Sequence, residues 1–287
     1  MTATPSRRAS SRAPEPITSR DNRWLKQFRA ALAGDASDGL AAIEGARFVE
    51  TALRSPAEIS ALLVSESGAR HLEHLRQWLP ASAPVLHTTD RLFAYAAATE
   101  SPQGIAALVR PRQATLDDLL RGTPLVLLLA AVQDPGNVGA LIRSAETLGA
   151  SGAAVCPAGG IGTANPFAAK ALRASAGAAL RLPILRGVGV SVLLAQLRVA
   201  GVRVYAACPE AAGARDPWDV DWRSPAALLV GNEGAGLPAD LVASADAAVR
   251  IPQSPAEDGM DSLNAAVAGS ILLYEAARQR GRAATNP

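Results

Sequence analysis

The stretch PLVLLLAAVQDPGNVGALIRSAETLGASGAAVC, residues 124–156, decides the fold of this chain. Its unbroken apolar run, Leu125–Val132, is typical of a parallel strand buried on both faces. A helical pattern follows over 138–149, and Gly152–Cys156 is a second predicted strand. Strand, helix and strand in this order form the unit of a parallel sheet, and such sheets bind ligands beyond the carboxyl ends of their strands.

The alternation of strands and helices continues through the rest of the chain. Predicted helices span 166–176, 190–199 and 262–280, and predicted strands span Leu182–Leu185, Val202–Ala206, Ala226–Val230 and Ala248–Ile251. Elements at this spacing predict an α/β domain with a doubly wound parallel sheet over residues 124–287.

The front half predicts a smaller α/β domain over residues 17–110. Its predicted elements are the helices Trp24–Leu32, Leu40–Leu53 and His71–Leu79 and the strands Ile59–Val64, Val85–His87 and Ile105–Val109. Residues 111–123 combine Pro, Gly and charges, as a linker does. Residues 1–16 are rich in Pro, Ser and Arg, which predicts a disordered basic tail.

The net charge of +2 hides an uneven distribution. Residues 1–30 hold seven basic and two acidic side chains, a net +5, which leaves −3 on the rest of the chain. Sequence-independent affinity for nucleic acids comes mostly from Lys and Arg that meet phosphates, so a basic arm favours a polyanionic partner. A solvated disordered tail explains the same charges equally well.

Composition excludes several other classes of protein. The only cysteines, Cys156 and Cys208, rule out a disulfide framework and favour a reducing, cytoplasmic setting. No apolar run approaches the ~20 residues that span a bilayer, so no membrane association is expected. His71, His74 and His87 are joined by no Cys or carboxylate at ligand spacing, so no metal site is predicted.

Three loops carry the candidate chemistry. They are QDPGNVGALIRSAETLGA from Gln133, LLVGNEGAGLP from Leu228 and RIPQSPAEDGMDSLNAAVAGSILLYEA from Arg250. Single residues in them have ordinary structural explanations, because Asn137 is well placed to cap a helix and Arg143 suits a surface. The glycines suit a tight turn as well as a close ligand. The order of the three loops is what is specific.

Together these blocks resemble the three signature motifs of the SpoU (TrmH-like) class of SPOUT methyltransferases. The resemblance covers residues 124–280 almost continuously, including NPFAAKALRASAGAALRLPIL from Asn165. It extends more loosely to ITSRDNRWLKQFRAAL from Ile17, IEGARFVETAL from Ile43 and SPQGIAALVRP from Ser101, which are similar to the family's small, ribosomal-protein-like RNA-binding domain.

The resemblance implies an enzyme that transfers a methyl group from S-adenosylmethionine to a ribose 2′-hydroxyl of structured RNA. The segment around 226–270 would thread into a deep trefoil knot that holds the cofactor mainly through backbone groups. The implied cofactor-binding residues are Val230, Gly231, Asn232, Glu233, Gly234, Gly236, Ile251, Pro252, Gln253, Ser262 and Leu263.

The same resemblance assigns roles to the polar residues of the motifs. Arg143 would stabilise the developing alkoxide, and Glu233 would hold Arg143 through a bidentate pair. Asn137 and Asn264 would orient the arginine or the ribose, and Ser262 would help fix the cofactor loop. The expected RNA contacts are Arg20, Arg23, Lys26, Arg29, Arg47 and Arg143.

The family also implies a homodimer that completes the active site. The small residues Ala265, Ala266, Ala268 and Gly269 would let two helices pack closely at its interface. Ribosomal RNA is the expected substrate, with transfer RNA as the alternative. A catalytically inactive RNA-binding assembly factor is the other alternative, which absence of affinity for S-adenosylmethionine would favour.

Overall fold

The first unit is a four-stranded sheet with helices against it. The computed structural model describes residues 15–34, 39–209, 211–254 and 263–281. Its chain divides into one unit of Met1–Arg54 and Ile59–Val109 and another of Ser55–Glu58 and Arg110–Pro287. The first unit contains α1 (Arg23–Ala33), β1 (Ala41–Glu44), α2 (Ala46–Leu53), β2 (Glu58–Ser65), α3 (Ala69–Leu75), β3 (Val85–Thr88), α4 (Asp90–Ala96) and β4 (Ile105–Arg110).

The sheet order of the first unit is β1-β4-β2-β3. Strands β1 and β4 are antiparallel, and β2 and β3 are parallel. Helices α1 and α4 bury Leu25, Phe28 and Phe93 in a core that also contains Leu63 and Leu108. This confirms the small α/β domain that the front half predicts.

Two predictions for this unit need correction. Leu40–Leu53 is not one helix, because Ala41–Glu44 pairs with β4 and the chain turns at Gly45, whose φ is +98°, before α2 begins. An L side chain rarely adopts that φ, so the glycine separates strand from helix. Helix α4, capped by the Thr89 hydroxyl, was not predicted at all. The predicted helix His71–Leu79 is α3 followed by a 3₁₀ turn, Arg76–Trp78.

The second unit is built on a six-stranded sheet. Its elements are α5 (Leu116–Leu119), β5 (Leu125–Ala130), α6 (Pro135–Thr147), β6 (Gly152–Cys156), α7 (Ala169–Ala174), β7 (Ile184–Arg186), α8 (Val190–Val199), β8 (Arg203–Ala207), β9 (Ala226–Val230), α9 (Ala239–Ser244), β10 (Ala247–Val249) and α10 (Ala265–Gly281). The strand order is β10-β8-β9-β5-β6-β7, and the pairs are all parallel.

Every residue of β5 is buried, so helices cover both faces of the sheet there. This confirms the parallel α/β domain predicted from residues 124–156. Since the strands run in one direction, the loops that leave β5, β8, β9 and β10 emerge at one edge. None of the described helices is both long and apolar enough to cross a bilayer.

Helix α6 begins earlier than predicted and is capped by another residue. Asp134 is its N-cap, accepting from the Gly136 amide at 2.7 Å, and Pro135 occupies the first helical position. Proline suits that position because its missing N–H has no partner in the helix. Asn137 therefore lies inside the first turn, which leaves its side chain for other contacts.

Helix α10 packs against α6 through small residues. A Cβ at Gly269 would lie 2.3 Å from Leu141 Cδ2, so only glycine allows this approach, and the Ser270 and Ser144 hydroxyls are 2.7 Å apart. Ala266 and Gly269 are buried within the chain. The small face predicted to meet a second copy is therefore largely used inside one protomer, because close packing on α6 requires it.

The segment predicted as a linker contains α5. A capping box of Thr115 and Asp118 opens this helix, and the buried Asp118 carboxylate pairs with Arg112 and Arg121. Leu119 belongs to the hydrophobic core of the second unit.

Candidate active site

A cavity of about 230 Å³ opens where β8, β9 and β10 end. Its walls are the loops after these strands and the start of α10. The lining residues are Ala207, Cys208, Pro209, Val230, Gly231, Asn232, Glu233, Gly234, Ala235, Gly236, Leu237, Val249, Arg250, Ile251, Gln253, Leu263, Ala265, Ala268 and Leu272. The structure thus gathers four segments that are distant in the chain around one volume.

Most residues predicted to bind the cofactor line this cavity. Pro252 is not among the lining residues, and Ser262 lies outside the described residues. The loop after β8, Ala207–Pro209, was missed. It offers only small or apolar side chains, so no chemical signal in the sequence marks it.

The loop after β9 is held in shape by one asparagine. Asn232 Oδ1 accepts from the amides of Gly234 and Ala235, and Asn232 Nδ2 donates to the Ala131 carbonyl at 2.9 Å. The backbones of Asn232 and Gly236 also exchange two hydrogen bonds, which Gly236 permits with a φ of +67°. These contacts join the β9 loop to the end of β5.

Gly231 is required by crowding. A Cβ at this position would lie 2.6 Å from the Gly236 backbone and 2.7 Å from Leu237 Cγ. At Gly234 the nearest atom to a Cβ is 3.7 Å away. The close approach of backbone to backbone at Gly231 thus forms the wall of the cavity.

Glu233 binds the N-terminus of α6. Its carboxylate accepts from the amides of Gln133 and Asp134 and from Asn137 Nδ2, each at 3.0 Å. Helix N-termini favour a carboxylate because their first amides have no partners in the helix. Asn264 Nδ2 extends this series of hydrogen bonds by donating to Asn137 Oδ1 at 3.1 Å.

These contacts set the protonation of Glu233. Partial burial raises its pKa, but the hydrogen bonds from Asn137, Gln133 and Asp134 outweigh burial and hold the pKa below the usual range. Glu233 is therefore an anion at neutral pH and does not serve as a proton donor there.

Asn264 also caps α10. Its side-chain oxygen accepts from the Ala266 amide at 2.9 Å and from the Val267 amide at 3.2 Å. The network of Glu233, Asn137 and Asn264 therefore ties the β9 loop to the starts of both α6 and α10.

Arg143 does not form the bidentate pair with Glu233 that the sequence analysis expected. Its side chain is exposed, it does not line the cavity, and it makes no hydrogen bond or ion pair with any described residue. The prediction was wrong because backbone amides, which a sequence does not display as partners, take the carboxylate. Arg143 is left with its donors available.

The other charges near α6 are paired. Lys170 donates to Asp134 Oδ1 at 2.7 Å, which lowers the pKa of Asp134. Arg181 forms a bidentate pair with Glu146 at 2.6 Å. No cluster of His, Cys, Asp or Glu suited to a metal ion occurs among the described residues.

The remaining RNA-binding candidates lie in the first unit. Arg20, Arg23, Lys26, Arg29 and Arg47 are exposed, the first four at or before α1 and the last on α2. Lys26 differs from the others, because it forms an ion pair of 2.8 Å with Asp21.

Comparison with known proteins agrees with this geometry. The model of the SpoU rRNA methylase family matches residues 124–274, just over half of the chain. The chain belongs to the SpoU rRNA methylase family. The resemblance seen in the three motifs is thereby confirmed. An MRM3-like substrate binding domain matches residues 36–107 of the first unit.

Relatives of this SpoU protein match over most of its length. It is 31% identical to an uncharacterized tRNA/rRNA methyltransferase of Synechocystis, covering 94% of this chain and 96% of the relative. It is 32% identical to the 23S rRNA (guanosine(2553)-2'-O)-methyltransferase RlmP of Bacillus subtilis, covering 81% and 86%.

A solved structure with its cofactor is similar to the SpoU protein throughout. The AdoMet-bound rRNA methyltransferase from Sinorhizobium meliloti superimposes with a TM-score of 0.80 and 32% identity, over 92% of this chain and 97% of that one. The family match contains every residue that lines the cavity.

Proposed function

We propose that this chain transfers a methyl group from S-adenosylmethionine to a ribose 2′-hydroxyl of ribosomal RNA. The observation that carries the proposal is the cavity between the loops after β8, β9 and β10, tied by Glu233, Asn137 and Asn264 to the helix that presents Arg143. Membership of the SpoU rRNA methylase family supports it.

The cavity fits S-adenosylmethionine in its chemistry. Val249, Ile251 and Leu272 provide apolar walls for a base, and two loops expose backbone groups that can bind its polar edge. Glu233 and Arg250 also line the cavity, Glu233 bound to the start of α6 and Arg250 paired with Asp216 at 3.4 Å. We propose that the lining residues, with Pro252 and Ser262 of the same loops, hold the cofactor.

Arg143 is proposed to act on the charge that develops at the ribose oxygen. When bound, S-adenosylmethionine supplies an electrophilic methyl group. A guanidinium stays protonated in proteins and is therefore a poor base, so Arg143 stabilises the oxyanion and binds the neighbouring phosphate instead. Asn137 positions the start of α6 by donating to the Glu233 carboxylate, and Asn264 in turn donates to Asn137.

The active site is proposed to be completed in a homodimer. Val267, Ile271 and Tyr274 are 48%, 39% and 60% exposed and form one apolar stripe along α10. Arg143 lies beside this helix, since the next residue, Ser144, contacts Ser270. An interface built on the stripe would therefore carry Arg143 toward the cavity of the partner.

A trefoil knot over residues 226–270 is part of the proposal. Two arguments support it: the family membership, and the position of β9 in the centre of the sheet while the later β10 lies at the edge beyond β8. The chain must then return toward the centre of the sheet after β10, because Gly269 of α10 lies against Leu141 of α6 and near Val230 of β9.

Ribosomal RNA is favoured over transfer RNA as the substrate. The RlmP relative and the Sinorhizobium structure are both described as acting on rRNA. We propose that the first unit binds this RNA through its exposed arginines. We also propose that the enzyme works in the cytoplasm, because the organisms of these relatives are bacteria, which assemble ribosomal RNA there.

The test combines cofactor binding with mapping of ribose methylation. Purified protein should bind S-adenosylmethionine in calorimetry and methylate one site in ribosomal RNA from a strain that lacks the gene. Arg143→Ala should keep cofactor affinity and lose turnover by about 10²-fold or more, a loss typical of a removed oxyanion donor. Undetectable cofactor affinity would instead favour an RNA-binding assembly factor.

Mixed dimers test the shared active site. Arg143→Ala and Gly231→Ala each remove one half of the proposed site. If Arg143 serves the partner's cavity, mixing the two inactive proteins restores activity, because each mixed dimer contains one intact cavity facing one intact arginine. If Arg143 acts within its own chain, the mixture stays inactive.

A further inference from the structure

Two arginines share one tyrosine in the first unit. The guanidinium carbons of Arg20 and Arg29 lie 4.6 and 4.3 Å from the centroid of the Tyr95 ring. Arg29 Nη1 also donates to the Tyr95 hydroxyl. The ring therefore positions both charged groups.

The elements that carry this cluster are anchored in the hydrophobic core of the first unit. Arg20 precedes α1, Arg29 lies in α1 and Tyr95 lies in α4. The adjacent Phe28 and the nearby Phe93 are both fully buried in the core of the unit. The cluster is thus an exposed feature on a rigid base, which is what a binding surface needs.

Among the described residues, the charges of the cluster have no counterion. Neither Arg20 nor Arg29 forms an ion pair with a described residue, whereas Lys26 on the same helix is paired with Asp21. Their distances to one centroid place the two guanidinium groups within about 9 Å of each other, inside the range where salt screens charges incompletely. An incoming polyanion relieves this repulsion.

A third arginine extends the positive surface. Arg91 is exposed and lies four residues before Tyr95 on α4, so both project from the same side of the helix. Arg91 makes no ion pair with a described residue either. The patch therefore spans two helices and holds three guanidinium groups.

We propose that Arg20, Arg29 and Tyr95 form a discrete phosphate-binding site for the substrate RNA, with Tyr95 as its positioning residue. The inference rests on the proposed function for the identity of the RNA. The match to the substrate-binding domain begins at residue 36, so it contains Tyr95 but neither Arg20 nor Arg29. The proposal therefore adds RNA contacts from residues before the matched segment. Stacked guanidinium groups keep their outer N–H donors for phosphate oxygens.

The experiment measures binding of full-length protein to transcribed 23S rRNA as a function of salt. Each phosphate contact that is lost lowers the slope of log K against log salt by roughly 0.7–0.9. The double variant Arg20→Gln/Arg29→Gln should weaken binding several-fold and reduce the slope by about twice that amount. Arg76→Gln is the matched control, since it removes the same charge from the same unit at a residue that is paired with Glu73 and is not among the expected RNA contacts.

Tyr95 is tested by two variants. Tyr95→Phe keeps the ring and loses the hydrogen bond, so it should weaken binding less than Tyr95→Leu, which loses both. The slope should fall only for Tyr95→Leu, and circular dichroism confirms that the unit remains folded. Affinity for S-adenosylmethionine should be unchanged throughout.

Two results overturn the site. One is a double variant whose affinity and slope equal those of Arg76→Gln. The other is a Tyr95→Leu protein, folded by circular dichroism, that binds like the wild type. A protein that binds RNA with the expected slopes but methylates nothing would refute the proposed function and still support this phosphate-binding site. The failure of the site and the failure of the proposed function are therefore distinguishable.

Discussion

Replacing Glu233 with glutamine tests the network that joins the cavity to α6. The carboxylate accepts three hydrogen bonds, from the amides of Gln133 and Asp134 and from Asn137 Nδ2. Glutamine keeps the length of the side chain but turns one oxygen into a donor. At least one amide then faces an N–H group, and the remaining bonds lose their charge.

The expected change in free energy follows from the number of hydrogen bonds that the substitution weakens. A hydrogen bond to a charged group contributes about 1.5–3 kcal/mol and a neutral one about 0.5–1.5 kcal/mol. Glu233 is exposed, so water replaces part of what is lost, and the low end applies. We expect Glu233→Gln to destabilise the closed loop by about 1–2 kcal/mol, which is roughly a 5- to 30-fold change in an opening equilibrium.

Native-state hydrogen exchange is the assay, because it reports local opening at each amide. The amides of Gln133 and Asp134 should exchange roughly 5- to 30-fold faster in Glu233→Gln, while that of Leu127 in the middle of β5 stays protected. Asp219→Asn is the control. It removes one negative charge from the same unit at an exposed side chain without moving these amides.

The pH dependence gives an independent check. The folded pKa of Glu233 lies below its ordinary value of about 4.3, so its stabilisation is present above that value and is lost as pH falls through the folded pKa. The difference between wild type and Glu233→Gln should be constant near neutral pH and shrink below about pH 4. Equal exchange of both amides in the two proteins at pH 7 would refute the reasoning.

Three further predictions concern packing and reactivity. Gly231→Ala should abolish cofactor binding, measured by calorimetry, because its Cβ would lie 2.6 Å from backbone, whereas Gly234→Ala should bind normally. Gly139→Ala should lower the denaturation midpoint: its Cβ would overlap a carbonyl oxygen of α7, and overpacking costs about 1–3 kcal/mol against roughly 1 kcal/mol gained in helix propensity. In thiol labelling at pH 8, buried Cys156 should stay unreactive because burial raises its pKa to about 11, while Cys208 should react and be protected by S-adenosylmethionine.

The parallel sheet could be predicted because its strands are apolar and closely bounded. The limits of β6, β9 and α8 agree with the sequence analysis, since Gly and polar residues flank each apolar run. The first unit was harder. Residues 40–43 form a short apolar run that fits a strand and a helix equally well, and only the pairing with β4 decides between them.

The position of the candidate site could be predicted from the sequence, but its hydrogen bonds could not. The motifs place Gly231, Glu233 and Gln253 at one edge of the sheet, and the structure gathers them around the cavity. The partners of Glu233 could not be predicted, since two of the three are backbone amides. Tyr95 gave no signal either, because its partner Arg29 is 66 residues away in the chain.

Hydrogen bonds join the β9 loop of the cavity to the end of β5 and to the start of α6. Ala131 ends β5 with a φ of +58°, a strained value for a residue with a side chain, and it is held by Asn232 Nδ2 and the Cys156 carbonyl. Asn232 in turn shapes the loop that places Glu233 on α6. A ligand that orders the β9 loop therefore also fixes the start of α6, and with it the direction in which Arg143 leaves that helix. Asn137, bonded to Glu233 on one side and to Asn264 on the other, is the residue through which the β9 loop meets the starts of α6 and α10.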